Sequence, residues 1–265
     1  MRFPHVVLPN ARALADDAAR RFTRAARDAV DSRGEFIVAL SGGETPRSLY
    51  ARLATPPYLT TVPWHLIQVF WSDERCVPPE DRASNYRTAR EALLDHVPVR
   101  SANVHRIRGE ADPAGAAREY ERKLRTVLRT PRGPPRQDLR ARIDLILLGL
   151  GHDGHTASLF PGAPTILDGE PWVSAFHVEA RSQWRVTLMP AVINAAAEVL
   201  LLVSGEAKAA IVRRVFEAPR NPQEFPVHLI APTADRLLWL LDAAAARDLE
   251  DDAEGHQGGL ACRSV

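Results

Sequence analysis

The run IDLILLGLG (143–151) constrains this chain more than any other segment. It lacks polar alternation, so a strand built from it must be covered on both faces, and it ends on glycines. EFIVAL (35–40), HLIQVFW (65–71) and EVLLLVSG (198–205) have the same character. Helical spacings lie between them. Residues 11–30 place Leu14, Ala18, Phe22, Ala25 and Ala29 on one face behind a cap at Asn10, and Pro46, after Thr45, stands at the first position of the next helix. Further helices lead from Ser84 through Ala92 to Leu94, from Asp112-Pro113 with Ala116, Tyr120, Leu124 and Leu128 on one face, from Pro190, and over AKAAIVRRVF (207–216). FPVHLIAP (225–232) reads as a last strand, followed by a helix from Thr233 or Ala234 through the Leu/Trp run near 240. The alternation predicts an α/β fold: a mostly parallel sheet with helices on both faces, in one domain over 1–249. TPRGPPRQ (130–137) reads as a surface loop, and the acidic, aperiodic stretch 250–265 as a disordered tail.

Ligands of such folds bind at the carboxyl ends of the strands, so the residues just after each apolar run carry the information. After the first run, SGGETPRSLY (41–50) places Gly42 and Gly43 where a backbone can approach a ligand, ahead of helical N–H groups that suit an anion; Ser41 and Thr45 add hydroxyls. After the second, Asp73, Glu74 and Arg75 offer a carboxylate and a guanidinium to a cleft, although a charged triplet is also ordinary loop sequence. Ser84-Asn85 reads as helix capping.

After the third run, GLGHDGHTASLFPG (149–162) contains a literal GxGxxG, yet Pro161 leaves no room for a full crossover helix, and no strand ends in an acidic residue about 20 positions on, so a dinucleotide cofactor is not expected. His152 and His155 without a third placed ligand make a poor zinc site, so no metal is expected either. Asp153 and His155 remain, on a glycine turn where an imidazole can act as a general base. After the fourth run comes SGEAK (204–208). The 34 basic residues include only two lysines, Lys123 and Lys208, so a lysine at a helix start, against the helix dipole, points to a bound anion. A phosphate would reverse the sign of that penalty.

The other class-level features narrow the field. With 34 basic and 33 acidic side chains the net charge is +1, which gives no reason to expect a nucleic-acid partner. Two cysteines, Cys76 and Cys262, are too few for a disulfide scaffold, and no apolar run reaches the ~18 residues of a membrane span. MRFPHVVLPN has no continuous apolar core, and Asp16, Asp17, Asp28 and Asp31 argue against a transit peptide, so a cytoplasmic protein is expected.

Together, SGGETP, WSDER with SNY, GLGHDGHTASLFPG, RVTLMPAVINAA and SGEAKA resemble the 6-phosphogluconolactonase family, in the superfamily of the glucosamine-6-phosphate deaminases, over about residues 10–242. The resemblance implies a Rossmann-like fold, no metal or cofactor, and hydrolysis of 6-phospho-D-glucono-1,5-lactone to 6-phosphogluconate, the second step of the oxidative pentose phosphate pathway. By that likeness His155 matches the general base and Asp153 its support. Gly42-Gly43 with Thr45, Arg75 and Lys208 match the cradle for phosphate and substrate. Asp73 matches an active-site acid, and Arg185 falls in a recurrent block without a defined task. The oxyanion donor is either Arg75 or backbone N–H groups. A sugar-phosphate deaminase or isomerase is the nearest rival; those relatives resemble GLGxDGHIAFNEP, with an acid after the histidine, where this chain has TASLFPG. A non-catalytic sugar-phosphate sensor is a third reading, disfavoured because His155 and Asp153 are both present.

Overall fold

The computed structural model describes residues 3–129, 142–162, 171–233 and 236–249; the loop 130–137 and the tail 250–265 lie outside them. The described strands are β1 (His5–Leu8), β2 (Phe36–Leu40), β3 (Ile67–Trp71), β4 (Asp73–Arg75), β5 (Leu145–Leu148), β6 (Val173–Val178), β7 (Gln183–Leu188), β8 (Glu198–Val203) and β9 (Leu237–Asp242). The helices are α1 (Ala11–Arg33), α2 (Glu44–Leu53), α3 (Tyr58–Thr61), α4 (Asn85–Ala89), α5 (Pro113–Arg129), α6 (Pro190–Ala195), α7 (Ala209–Glu217) and α8 (Ala243–Ala246).

Six strands form one sheet in the order β1-β9-β8-β5-β2-β3, with every pairing parallel. Every residue of β2, β3 and β5 is buried, which requires cover on both faces and explains why these runs lack polar alternation. The helix α1 supplies part of that cover. It starts where the Asn10 side chain accepts the Ala13 N–H, ends at Gly34 with φ 82°, and buries Leu14, Ala18, Phe22 and Ala26. From β2 the chain steps outward to β3, then returns to β5 on the other side of β2. That reversal makes the β2/β5 gap the switch point, where a crevice opens beyond the carboxyl ends.

A second sheet, β4-β7-β6, is antiparallel and was not foreseen from the sequence. Only Ser72 separates β3 from β4, and it is bonded into both sheets: its N–H donates to Leu40 O (2.7 Å), and its carbonyl accepts the Leu188 N–H (2.8 Å).

Three expectations need correction. FPVHLIAP is not a strand: Pro226–Leu229 is a short 3-10 helix whose first residue has no N–H to offer a ladder. The expected helix near 240 is the strand β9, a central strand between β1 and β8, because a five-residue apolar run fits strand or helix equally until neighbours decide. The helix α2 begins at Glu44, two residues before Pro46, on Gly43 with φ 106°. Thr45 is therefore inside its first turn, and the free N–H groups there belong to Glu44 and Thr45.

Candidate active site

The loops beyond the switch point enclose a cavity of about 230 Å³. Ser41, Gly42 and Gly43 reach it from β2, Asp73 and Arg75 from β4, His155 from the loop after β5, Arg185 from β7 and Lys208 from the turn after β8. Eight of the ten residues singled out in the sequence thus line one hollow, His155 and Lys208 together among them. Thr45 does not line it, and Asp153 stands behind His155 rather than on the wall.

The His155 loop is built around glycines. A Cβ on Gly151 would lie 2.0 Å from His155 Nδ1 and 2.7 Å from Asp153 Oδ1, so only glycine leaves space for that pair. Gly154, at φ 82°, packs against Phe225, and its carbonyl accepts the Val227 N–H (3.1 Å). The misread FPVHLI segment is thus the buttress of this loop. His155 Nδ1 lies 2.5 Å from Asp153 Oδ1. Burial pushes the Asp153 carboxyl up, but the His155 ring and N–H outweigh it and bring it down to about 2. An ionised carboxylate only accepts, so the shared proton belongs on Nδ1, and Nε2 keeps its lone pair. The ring also packs against Phe160, centroids 4.3 Å apart and planes tilted by 32°.

Asp73 is held by donors from two other segments: Ser158 Oγ at 2.6 Å and Asn85 Nδ2 at 3.2 Å. Its neighbour Glu74 turns the other way, as strand alternation requires, and accepts the N–H groups of Asn85 (2.7 Å), Tyr86 (2.8 Å) and Arg75 (2.8 Å). Glu74 therefore faces away from the cavity and ties β4 to the start of α4. Burial nevertheless pushes its carboxyl above the ordinary range.

Arg75 and Arg185 stand directly opposite each other in the β4/β7 register. Like charges in such a pair repel. Arg185 is 6% exposed and, among the described residues, no carboxylate pairs with it; its Nε and that of Arg75 are buried without a partner. Burial and then Arg75 push the Arg185 guanidinium down to about 10, which leaves it charged at neutral pH. Lys208 Nζ donates to Leu150 O (2.7 Å), on the segment that leads to His155, and burial lowers its pKa while Asp153 raises it. A surplus of desolvated cations beside a Gly-Gly turn suits a dianion.

Asn85, Arg181 and Phe160 line the cavity as well and were not singled out. Asn85 had looked like a helix start; it is indeed one, but Gly42 packs so closely on its side chain that a Cβ would lie 1.8 Å from Oδ1. His152 also lines the wall, but among the described residues no three His, Cys, Asp or Glu side chains gather as metal ligands. Residues 149–162 form turns without a helix, so the GxGxxG match has no dinucleotide context. Cys76 faces a different groove, beside Trp184, and burial pushes its thiol up to about 11.

The family of glucosamine-6-phosphate isomerases and 6-phosphogluconolactonases matches residues 9–239. A protein of Synechocystis sp. named 6-phosphogluconolactonase is 38% identical over 244 residues, which cover 92% of this chain and 97% of the relative. Among solved structures, one titled devB protein aligns with a TM-score of 0.83 at 32% identity, covering 93% of this chain and 99% of that one. The 6-phosphogluconolactonase of Trypanosoma brucei aligns with a TM-score of 0.79 at 28% identity, covering 94% and 100%. With the switch-point cavity, its histidine–aspartate pair and these alignments on one chain, the protein belongs to the 6-phosphogluconolactonase family.

Proposed function

We propose that this chain hydrolyses 6-phospho-D-glucono-1,5-lactone to 6-phosphogluconate. The observation that carries the reading is the shared cavity: His155, whose Nδ1 is engaged by Asp153, lines the same space of about 230 Å³ as the cations Arg75, Arg185 and Lys208, and no carboxylate pairs with Arg185 among the described residues. The Gly42-Gly43 turn, Lys208 and the arginines hold the phosphate. That remote grip sets where the lactone carbonyl lies relative to His155.

A lactone is an activated ester, so water can attack it without a covalent intermediate. His155 Nε2 takes a proton from the water as its oxygen bonds to C1, and the carbonyl becomes an oxyanion beside Arg75 or backbone N–H groups. Asp153, ionised throughout, stabilises the imidazolium. Collapse of the tetrahedral species breaks the bond between C1 and the ring oxygen. The imidazolium returns its proton to that oxygen, and the new carboxylic acid ionises in solution. Asp73 completes the polar wall as an acceptor for sugar hydroxyls. The partner is thus a small phosphorylated lactone, and a cytoplasmic setting fits a chain with only two cysteines.

The test is product formation by the purified protein above the spontaneous rate, read by coupling to 6-phosphogluconate dehydrogenase. Ammonia released from glucosamine 6-phosphate would instead establish the deaminase reading. Binding of 6-phosphogluconate without any turnover would establish a sensor.

A further inference from the structure

We infer that Tyr50 is a positioning residue for phosphate recognition: its phenol fixes the backbone of the Gly42-Gly43 turn by holding both polar groups of Ser41. The inference rests on the lactonase reading and extends it to a side chain that does not line the cavity. At the carboxyl end of β2 the sheet ladder stops. Leu40 still gives its carbonyl to the Ser72 N–H, but Ser41 has no strand partner, although it is buried. Its N–H donates to the Tyr50 hydroxyl (2.9 Å), and the same hydroxyl donates to its carbonyl (2.6 Å). A phenol is an uncharged group that accepts and donates through one atom. Tyr50 is wholly buried on α2, and burial raises its pKa, so it stays neutral. The helix that follows the turn thereby reaches back to fix the residue that precedes it. Two glycines alone would leave that backbone free to move.

The molecule supplies its own control. Tyr120, on α5, makes the same double contact with Trp71, accepting its N–H (2.6 Å) and donating to its carbonyl (3.0 Å). Trp71 ends β3, on the approach to Asp73, but β4 has separate anchors in β7 and in the Glu74 contacts. The two tyrosines therefore share one chemistry and one structural cost, and only Tyr50 adjoins the anion turn.

The experiment compares Tyr50→Phe with Tyr120→Phe. Each removes one oxygen and leaves two buried backbone groups unpaired. For Tyr50→Phe the expected result is a rise of about tenfold in KM for 6-phospho-D-glucono-1,5-lactone, the factor produced by about 1.4 kcal/mol of binding energy, with kcat/KM for glucono-1,5-lactone changed by less than about twofold. For Tyr120→Phe both substrates should be affected alike. Equal losses on both substrates in Tyr50→Phe, or the same selectivity loss in Tyr120→Phe, would overturn the inference.

Calorimetry with inorganic phosphate repeats the comparison without turnover. A protein inactive on lactone whose phosphate affinity still falls in Tyr50→Phe would keep the clamp and discard the lactonase; unchanged phosphate affinity would discard the clamp. Should Tyr50→Phe not fold, hydrogen exchange of the Ser41 amide in the unmodified protein reads the same contact. Protection like that of the β2 amides supports it, and exchange at the rate of an open loop refutes it.

Discussion

The two ends of β5 treat buried charge in opposite ways. At the amino end Asp144 accepts the Ile37 N–H (2.8 Å) and pairs with Arg33, so the carboxylate and its guanidinium are satisfied within the protein. Burial still pushes the Asp144 carboxyl up, ahead of the opposing effects of the Ile37 N–H and Arg33. Beyond the carboxyl end, the Asp153 carboxyl comes down to about 2, and Arg185 is buried opposite another arginine without a carboxylate. Both ends bear the cost of desolvating charge. At the first, Arg33 and the Ile37 N–H offset part of that cost within the protein; at the second, Arg185 has no carboxylate partner among the described residues, and an anionic ligand would supply one. The comparison separates residues that serve stability from residues that serve binding.

The strongest challenge to that division is His155→Ala. It should lower kcat on the phosphorylated lactone by roughly 10²–10⁴-fold while phosphate still binds, the usual range for loss of a general base. Retained turnover would remove His155 from the mechanism. Next comes Arg185→Met, which replaces an unpaired buried cation by an apolar chain of similar length. It should cost about 10²-fold in kcat/KM and yet raise Tm by a few degrees, since activity and stability oppose each other where charge is left for a ligand. A lower Tm would mean that Arg185 is satisfied within the protein after all.

The pH profile is a milder test. The Asp153 carboxyl, at about 2, remains ionised at any pH where the protein would be assayed, so loss of rate on acidification does not come from that carboxyl, and glucono-1,5-lactone, which carries no phosphate to titrate, is the substrate to use. A general base must be unprotonated to take a proton from water, so kcat/KM should fall as pH falls. A flat profile in folded protein contradicts the base. Because the Asp153 pKa is depressed, the stability its contacts supply is present above about 3.8 and is lost as pH falls towards 2. At the other end of β5, Asp144→Ala should leave KM within about twofold and lower stability by about 1–3 kcal/mol, because the Ile37 N–H and Arg33 lose their partner. Denaturant unfolding measures it, and a large change in KM would break the distinction between the two ends.

Much of this was legible in the sequence, for a local reason. FIVAL, IQVFW and LILL are strands covered on both faces, and their apolar runs say so directly. Because the residues after such runs must gather at one edge of the sheet, Gly42, Asp73, His155 and Lys208 could be listed as neighbours before any coordinates. What escaped depends on distant pairing. LLWLLD is a strand only because β1 and β8 flank it. The β4-β7-β6 sheet begins with three residues that read as a charged loop, so the opposition of Arg75 and Arg185 had no local signal. Asn85 carries two roles, helix start and neighbour of Gly42, and sequence displays only the first.

The single residue between β3 and β4 has a further consequence. Ser72 is hydrogen-bonded through its N–H to one sheet and through its carbonyl to the other, so the wall bearing Asp73 and Arg75 cannot swing without breaking both ladders. The conformational entropy of that wall is surrendered when the chain folds, not when a ligand arrives, and capture of the sugar is correspondingly less burdened.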